Sequence, residues 1–119
     1  MVKDVAYQPD RGDFITLDFS PRAETEQAGR RPGLVLSLRD FNIATGLAVV
    51  CPLTNTQTGS RFEMPVPRGT KLAGVVLSHQ FRTVAWIARN AQFHSKANEE
   101  LMSEVLGRIE AILGIEVVR

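Results

Sequence analysis

Leu47-Ala48-Val49-Val50-Cys51-Pro52-Leu53 carries no charge and almost no polar atom outside its backbone. A strand this apolar has to be covered on both faces, so it predicts the centre of a sheet. Shorter runs surround it. Phe14 to Phe19 alternates, with Ile15, Leu17 and Phe19 on one side and Thr16 and Asp18 on the other, the period of a half-buried strand opening after Arg11-Gly12-Asp13. Leu34 to Leu38 reads as a second strand and Gly74 to Ser78 as another. Arg61 to Val66 alternates, but Pro65 lacks a backbone N–H and confines that strand to an edge. Gln80 to Trp86 alternates with Phe81 and Val84 out of step, which predicts a bend or bulge near Arg82. Residues 1–12 read as a polar leader, and Asn42 to Gly46 as a turn.

The tail changes period. Leu101, Val105, Ile109, Ile112 and Leu113 recur at helical spacing, to pack on the sheet or on another subunit. Asn98 is placed to cap, Glu99 and Glu100 suit the first turn, and Gly114 suits the C-terminal stop. The expected fold is therefore mainly β with a C-terminal helix: about five to seven short antiparallel strands in a strongly bent sheet or small barrel. With 119 residues, no repeat and no linker, residues 1–119 are expected to form one domain.

The formal net charge is only +1, so bulk charge makes no case for a nucleic acid. The distribution is less even. Between Gly59 and Arg89 the sole acid is Glu63, against Arg61, Arg68, Lys71, Arg82 and Arg89. That stretch is either a basic face that steers an anion or an ordinary solvated surface. One cysteine, Cys51, builds no disulfide framework within the chain and sits where a small buried hydrophobe belongs. A reduced, cytoplasmic setting is expected, with no membrane span and no signal peptide.

Most chemistry-bearing motifs are missing. No Gly-rich phosphate loop, Gly-x-Ser-x-Gly elbow or His-x-x-x-His pair occurs, and His79 and His94 stand alone, so a site without metal or cofactor is the expectation. What remains is Glu26-Gln27-Ala28-Gly29-Arg30-Arg31-Pro32, a polar loop running into an apolar strand. Pro32 restricts Arg31 to an extended backbone, which holds its guanidinium at the mouth of the sheet. A guanidinium binds phosphate bidentately. RNA carries its own nucleophile, the 2′-hydroxyl. A protein then has to accept the 2′ proton, stabilise the crowded phosphorane and protonate the leaving 5′ oxygen. Arg31 suits the second task, Glu26 the first if the loop folds back, and the Thr54 hydroxyl the holding of a phosphate oxygen. The competing reading is a surface Glu26–Arg31 ion pair, contributing about 0–1 kcal/mol, and a Thr54 that only caps a turn.

The ordered blocks Arg11-Gly12-Asp13, Asp18-Phe19-Ser20-Pro21, Glu26 to Pro32, Leu34-Val35-Leu36-Ser37, Pro52-Leu53-Thr54, Gly74-Val75-Val76-Leu77, Gln80-Phe81-Arg82-Thr83 and Trp86-Ile87-Ala88-Arg89 resemble the MazF/PemK (Kid) family of toxin endoribonucleases over nearly the whole chain. The resemblance implies an SH3-like barrel with a C-terminal helix, working as a homodimer. It implies metal-independent cleavage of single-stranded RNA at short sequences, leaving 2′,3′-cyclic phosphate and 5′-hydroxyl ends. A cognate antitoxin of the MazE/PemI kind, usually with an acidic disordered tail, would occupy the groove. Arg31, Thr54 and Glu26 inherit the catalytic positions. Arg30, Asn55, Arg61, His79, Gln80, Arg82 and Arg89 are the expected RNA-binding set. His79 replaces the acid that many members carry before the glutamine, so the acid–base role lies open between Glu26 and His79. Two other readings of the barrel are a non-enzymatic poison of the CcdB kind, whose Trp-Gly-Ile terminus is missing from Glu116-Val117-Val118-Arg119, and a plain SH3-like binding module.

Overall fold

A computed structural model of the chain describes residues 7–19 and 29–115. Its strands are β1 (Asp13–Asp18), β2 (Arg30–Val35), β3 (Leu47–Thr54), β4 (Glu63–Pro65), β5 (Val75–Leu77), β6 (Arg82–Ala85) and β7 (Gln92–Lys96). Helix α1 (Arg39–Thr45) joins β2 to β3, a single 3-10 turn (Ser78–Gln80) joins β5 to β6, and α2 (Glu99–Leu113) follows β7. All pairings are antiparallel, in the order β4-β5-β3-β2-β1-β7, with β6 also on β3. The apolar run is central, as its composition requires: β3 pairs β6 through Leu47–Val50, β2 through Val50–Pro52, and β5 through Leu53 and Thr54. One strand that serves three neighbours in succession has to coil, and the sheet bends into an incompletely closed, barrel-like wall. Pro65 stands on β4, the edge strand.

The two faces of the sheet bury two cores. Phe14, Leu34, Cys51, Met64 and Val76 pack under Leu101, Met102, Val105 and Ile109 of α2. Ile15, Leu17, Phe19, Val35, Val50 and Val84 fill the other side. Asn98 caps α2, its Oδ1 accepting from the Leu101 N–H at 2.7 Å, and Gly114 ends it at φ 69°. The helical stripe packs on the sheet only through Ile109. Met102 is buried in it, whereas Ile112 and Leu113 stay exposed.

Several expectations need correcting. Asn42 to Gly46 does not form a turn: residues 39–45 are helical, and only Gly46, at φ 74°, breaks away. The cause is tertiary. The Asn42 side chain is fully buried; its Nδ2 donates to the Pro9 and Ser37 carbonyls, and its Oδ1 accepts from Ser37 Oγ at 2.6 Å. Trp86 Nε1 donates to the Asn42 carbonyl at 3.0 Å. Residues 7–12 are not a loose leader either. Pro9 is buried, the Gly12 N–H donates to the Val35 carbonyl, and the buried Asp13 carboxylate gathers the Tyr7 hydroxyl, the Asp10 N–H and Lys96 Nζ. Strand β2 begins at Arg30, four residues ahead of Leu34, and ends at Val35. The Gln80–Trp86 run is split: the bend is the 3-10 turn before Arg82, and β6 starts at Arg82 itself. Strand β7 had no reading at all. Its sequence, Gln-Phe-His-Ser-Lys, has no alternating apolar face because it forms a sheet edge on β1.

Replacing Asn98 by alanine orphans the Leu101 N–H. Asn98→Ala should lower unfolding stability by about 1 kcal/mol in urea titration, with the secondary structure unchanged.

Candidate active site

Strands β2 and β3 run together through Val35–Val50, Leu34–Cys51 and Gly33–Pro52, and there the ladder stops. The next step would place Pro32 against Leu53, and Pro32 has no N–H to give. Continued one place further, the register sets Arg31 opposite Thr54 on one face of the sheet. Since the ladder has already ended, the strands part and leave a cleft of about 160 Å³ between them. Arg30, Arg31, Pro32, Leu53, Thr54, Asn55 and Ala73 line it.

The neighbouring arginines differ because side chains on a strand alternate. Arg30 points across β1. Its guanidinium pairs with Asp18 Oδ1 at 3.1 Å and donates to the Thr16 carbonyl, Thr16 Oγ1 and the Asn90 carbonyl. Arg31 is exposed and makes no hydrogen bond or ion pair with a described residue. Arg30 braces the wall, while Arg31 has no partner among the described residues. Thr54 Oγ1 accepts from the Thr56 N–H at 3.1 Å. That contact fixes the oxygen and leaves its proton for donation into the cleft.

Gly74 backs this corner. At φ +103°, a Cβ on it would lie 2.4 Å from the Thr54 carbonyl oxygen and 2.9 Å from Asn55 Oδ1. Only glycine lets β5 approach so closely. Phe19 lies over Gly33, its Cζ 3.2 Å from where a Cβ would stand. Arg82 rests on that ring, 5.3 Å from the centroid.

The remaining expected residues divide. Asn55 lines the cleft with Arg31 and Thr54. Arg89 is half-buried and turned inward, donating to the Asp18 and Phe19 carbonyls. Arg61 is exposed beside α2, where its carbonyl accepts from Arg108. His79 and Gln80 are exposed on the 3-10 turn and do not line the cleft; the His79 ring lies 5.8 Å from that of Phe62. Glu26 lies outside the described residues. Cys51 is buried beneath β3, and burial pushes its thiol up to about 12, which suits packing and not nucleophilic work. Among the described residues no three His, Cys, Asp or Glu side chains gather as metal ligands, and no helix is long and apolar enough to cross a membrane. Sequence reasoning missed Gly74, which backs the cleft, and Ala73, which lines it. A glycine opening the Gly74-Val75-Val76-Leu77 block was the visible signal for the first.

The bent antiparallel sheet with one covering helix is a small SH3-like barrel fold, and Arg31 and Thr54 stand where two of its strands part. Residues 10–113 match the family described as PemK-like, MazF-like toxin of type II toxin-antitoxin system, and the chain belongs to that family. It is 37% identical over 108 residues to the endoribonuclease toxin MazF of Escherichia coli, covering 91% of this chain and 96% of that protein. It is 35% identical to the Escherichia coli endoribonuclease PemK, over 87% of this chain and 81% of that one. Among solved structures, a MazE-MazF crystal structure from Deinococcus radiodurans superposes with a TM-score of 0.84 at 35% identity, covering 93% of this chain and all of that one.

Two outcomes test this geometry. Gly74→Ala should destabilise the fold by about 1–3 kcal/mol in urea titration, because both φ and the approach to Thr54 are forbidden to a side chain. Asp18 is held below its ordinary 3.8 by the Asn90 amide and then the Arg30 guanidinium. A carboxyl lowered in the folded state contributes fully above its unfolded value and loses that contribution as pH falls through the folded one. Asp18→Asn should therefore be less stable than wild type at neutral pH, with the gap in urea midpoint closing below about pH 4.

Proposed function

We propose that this chain is a metal-independent endoribonuclease toxin that cleaves single-stranded RNA at short sequences, as a homodimer, and is silenced by a cognate antitoxin of the MazE/PemI kind. The observation that carries the reading is Arg31, unpartnered among the described residues, beside Thr54 where the β2–β3 ladder ends. The Escherichia coli relatives named endoribonucleases and the MazE-MazF neighbour support it.

The chemistry follows from what stands there. A phosphodiester enters the cleft with its 2′-hydroxyl neighbour. The 2′ oxygen attacks phosphorus, a 2′-O–P bond forms, and the P–O5′ bond breaks. Charge builds on the non-bridging oxygens, where the Arg31 guanidinium takes two of them and the Thr54 hydroxyl donates to one. The 2′ proton passes to a base, assigned here to Glu26, and the leaving 5′ oxygen takes a proton from an acid, Glu26 or His79. The products are a 2′,3′-cyclic phosphate and a 5′-hydroxyl. Among the expected RNA-binding residues, Asn55 stands beside the reacting phosphate and Arg82 is placed to meet the backbone further along. Arg30 and Arg89 support the site by holding its walls.

The test is cleavage of a randomised single-stranded RNA pool in EDTA. Wild type should cut, leaving cyclic phosphate ends. Arg31→Ala should lose about 10²–10³ in kcat or more, Thr54→Val less, with both variants folded. Arg31→Lys should fall between, since it keeps the charge and loses the fork. Equal cutting by wild type and Arg31→Ala would rule out the assigned role.

A further inference from the structure

The loop of residues 55–60 leaves the cleft directly from Thr54 and returns to the edge strand β4 at Glu63. It has no secondary structure of its own, and Asn55, Thr56, Gln57, Thr58 and Gly59 are all exposed. Its near end is tied by the Thr54 Oγ1–Thr56 N–H bond. Its far end is gathered by one carboxylate. Glu63 accepts from the Thr58 N–H at 3.1 Å on both oxygens, from Thr58 Oγ1 at 2.7 Å on Oε2, and from the Gly59 N–H at 3.1 Å on Oε1. Gly59 at φ +87° turns its N–H into this cluster. The Thr58 hydroxyl, then the Thr58, Gly59 and Ser60 N–H groups, hold the Glu63 carboxyl below its ordinary value of 4.5. It therefore stays an acceptor throughout the neutral range.

Glu63 is also the sole acid in the basic stretch between Gly59 and Arg89. It repels a phosphate, and both its oxygens are already engaged by Thr58 and Gly59. Its charge is spent on the loop. We propose that Glu63 is a positioning residue: by clamping Thr58 and Gly59 it fixes the loop whose first residue, Asn55, lines the cleft, so that Asn55, Thr56 and Gln57 read the unpaired base next to the scissile phosphate. This rests on the ribonuclease reading above and specifies how that site selects its sequence. The amide and hydroxyl side chains of these three residues supply the donors and acceptors that the edge of a splayed base requires. A six-residue loop without such a brace would have to be ordered by the RNA itself, and binding would bear that entropy.

Glu63→Gln tests the proposal. It keeps the size of the side chain but replaces one acceptor oxygen with an NH₂ that meets backbone N–H groups. With the randomised RNA pool and one preferred oligonucleotide, Glu63→Gln should raise KM about tenfold while kcat stays within about threefold, with a broader base preference beside the cut. Thr58→Val should move the same way by less, and Thr58→Ser, which restores the hydroxyl, should behave as wild type. The thermal midpoint is measured alongside. Loss of kcat and KM together, in step with a loss of folded protein, would make Glu63 merely structural and overturn the proposal. So would a Glu63→Gln enzyme with wild-type KM and preference, although wild-type cleavage would then leave the ribonuclease reading standing. Absence of cleavage by wild type overturns both.

Discussion

A missing hydrogen-bond donor does more to shape this molecule than any bond that is made. Strand β3 is so apolar that it has to be enclosed, and it is enclosed by three strands in turn. It lies between β5 and β2, and its pairing with β2 ends at Pro52, opposite Gly33 and one step from Pro32. Pro32 brings no N–H to the next step and the β2–β3 ladder ends there, while β3 goes on to pair β5 through Leu53 and Thr54. Two side chains that an intact ladder would have lined up as ordinary cross-strand neighbours instead face each other across open space.

The walls of that opening are held by polar contacts, not by apolar packing alone. Arg30 ties β2 to β1 and to the turn at Asn90, while Arg89 reaches back to the carbonyls at the end of β1. Lys96 and Tyr7 converge on the buried Asp13 at the other end of the same strand. Burial and that carboxylate push the Tyr7 phenol well above its ordinary range, so it remains a donor. A carboxylate taken out of water is tolerable only when its oxygens are filled. Strand β1 is thus fixed at both ends, and the cleft beside it inherits that rigidity. Gly74 provides the remaining constraint, pressing β5 against the Thr54 carbonyl.

Cationic residues show how unevenly such a site can be read from a chain. Eleven arginines look alike in a sequence, and their hydrogen-bond partners separate them. Arg31 was legible because Pro32 follows it and an apolar strand follows that. Arg30 and Arg89 looked equally available for a phosphate, yet their partners are Asp18, Thr16, Asn90 and Phe19, most of them distant in sequence. Asn42 misled for the same reason: a residue that favours turns became the buried anchor of a helix once Pro9, Ser37 and Trp86 surrounded it.

Local signals were decisive where the physics is local. The period of two in β1, the apolar run of β3, the edge proline of β4, and the Asn98 and Gly114 boundaries of α2 all follow from interactions within a few residues. They could be read directly, and so could the ordered blocks that mark the family. The meeting of Arg31 and Thr54 at one cleft, the enforced glycine at position 74, the edge strand β7 and the clamp of Glu63 on its loop depend on register between segments that meet only after folding. Backbone hydrogen bonding and steric exclusion across the sheet decide those, and neither leaves a periodic trace in the chain.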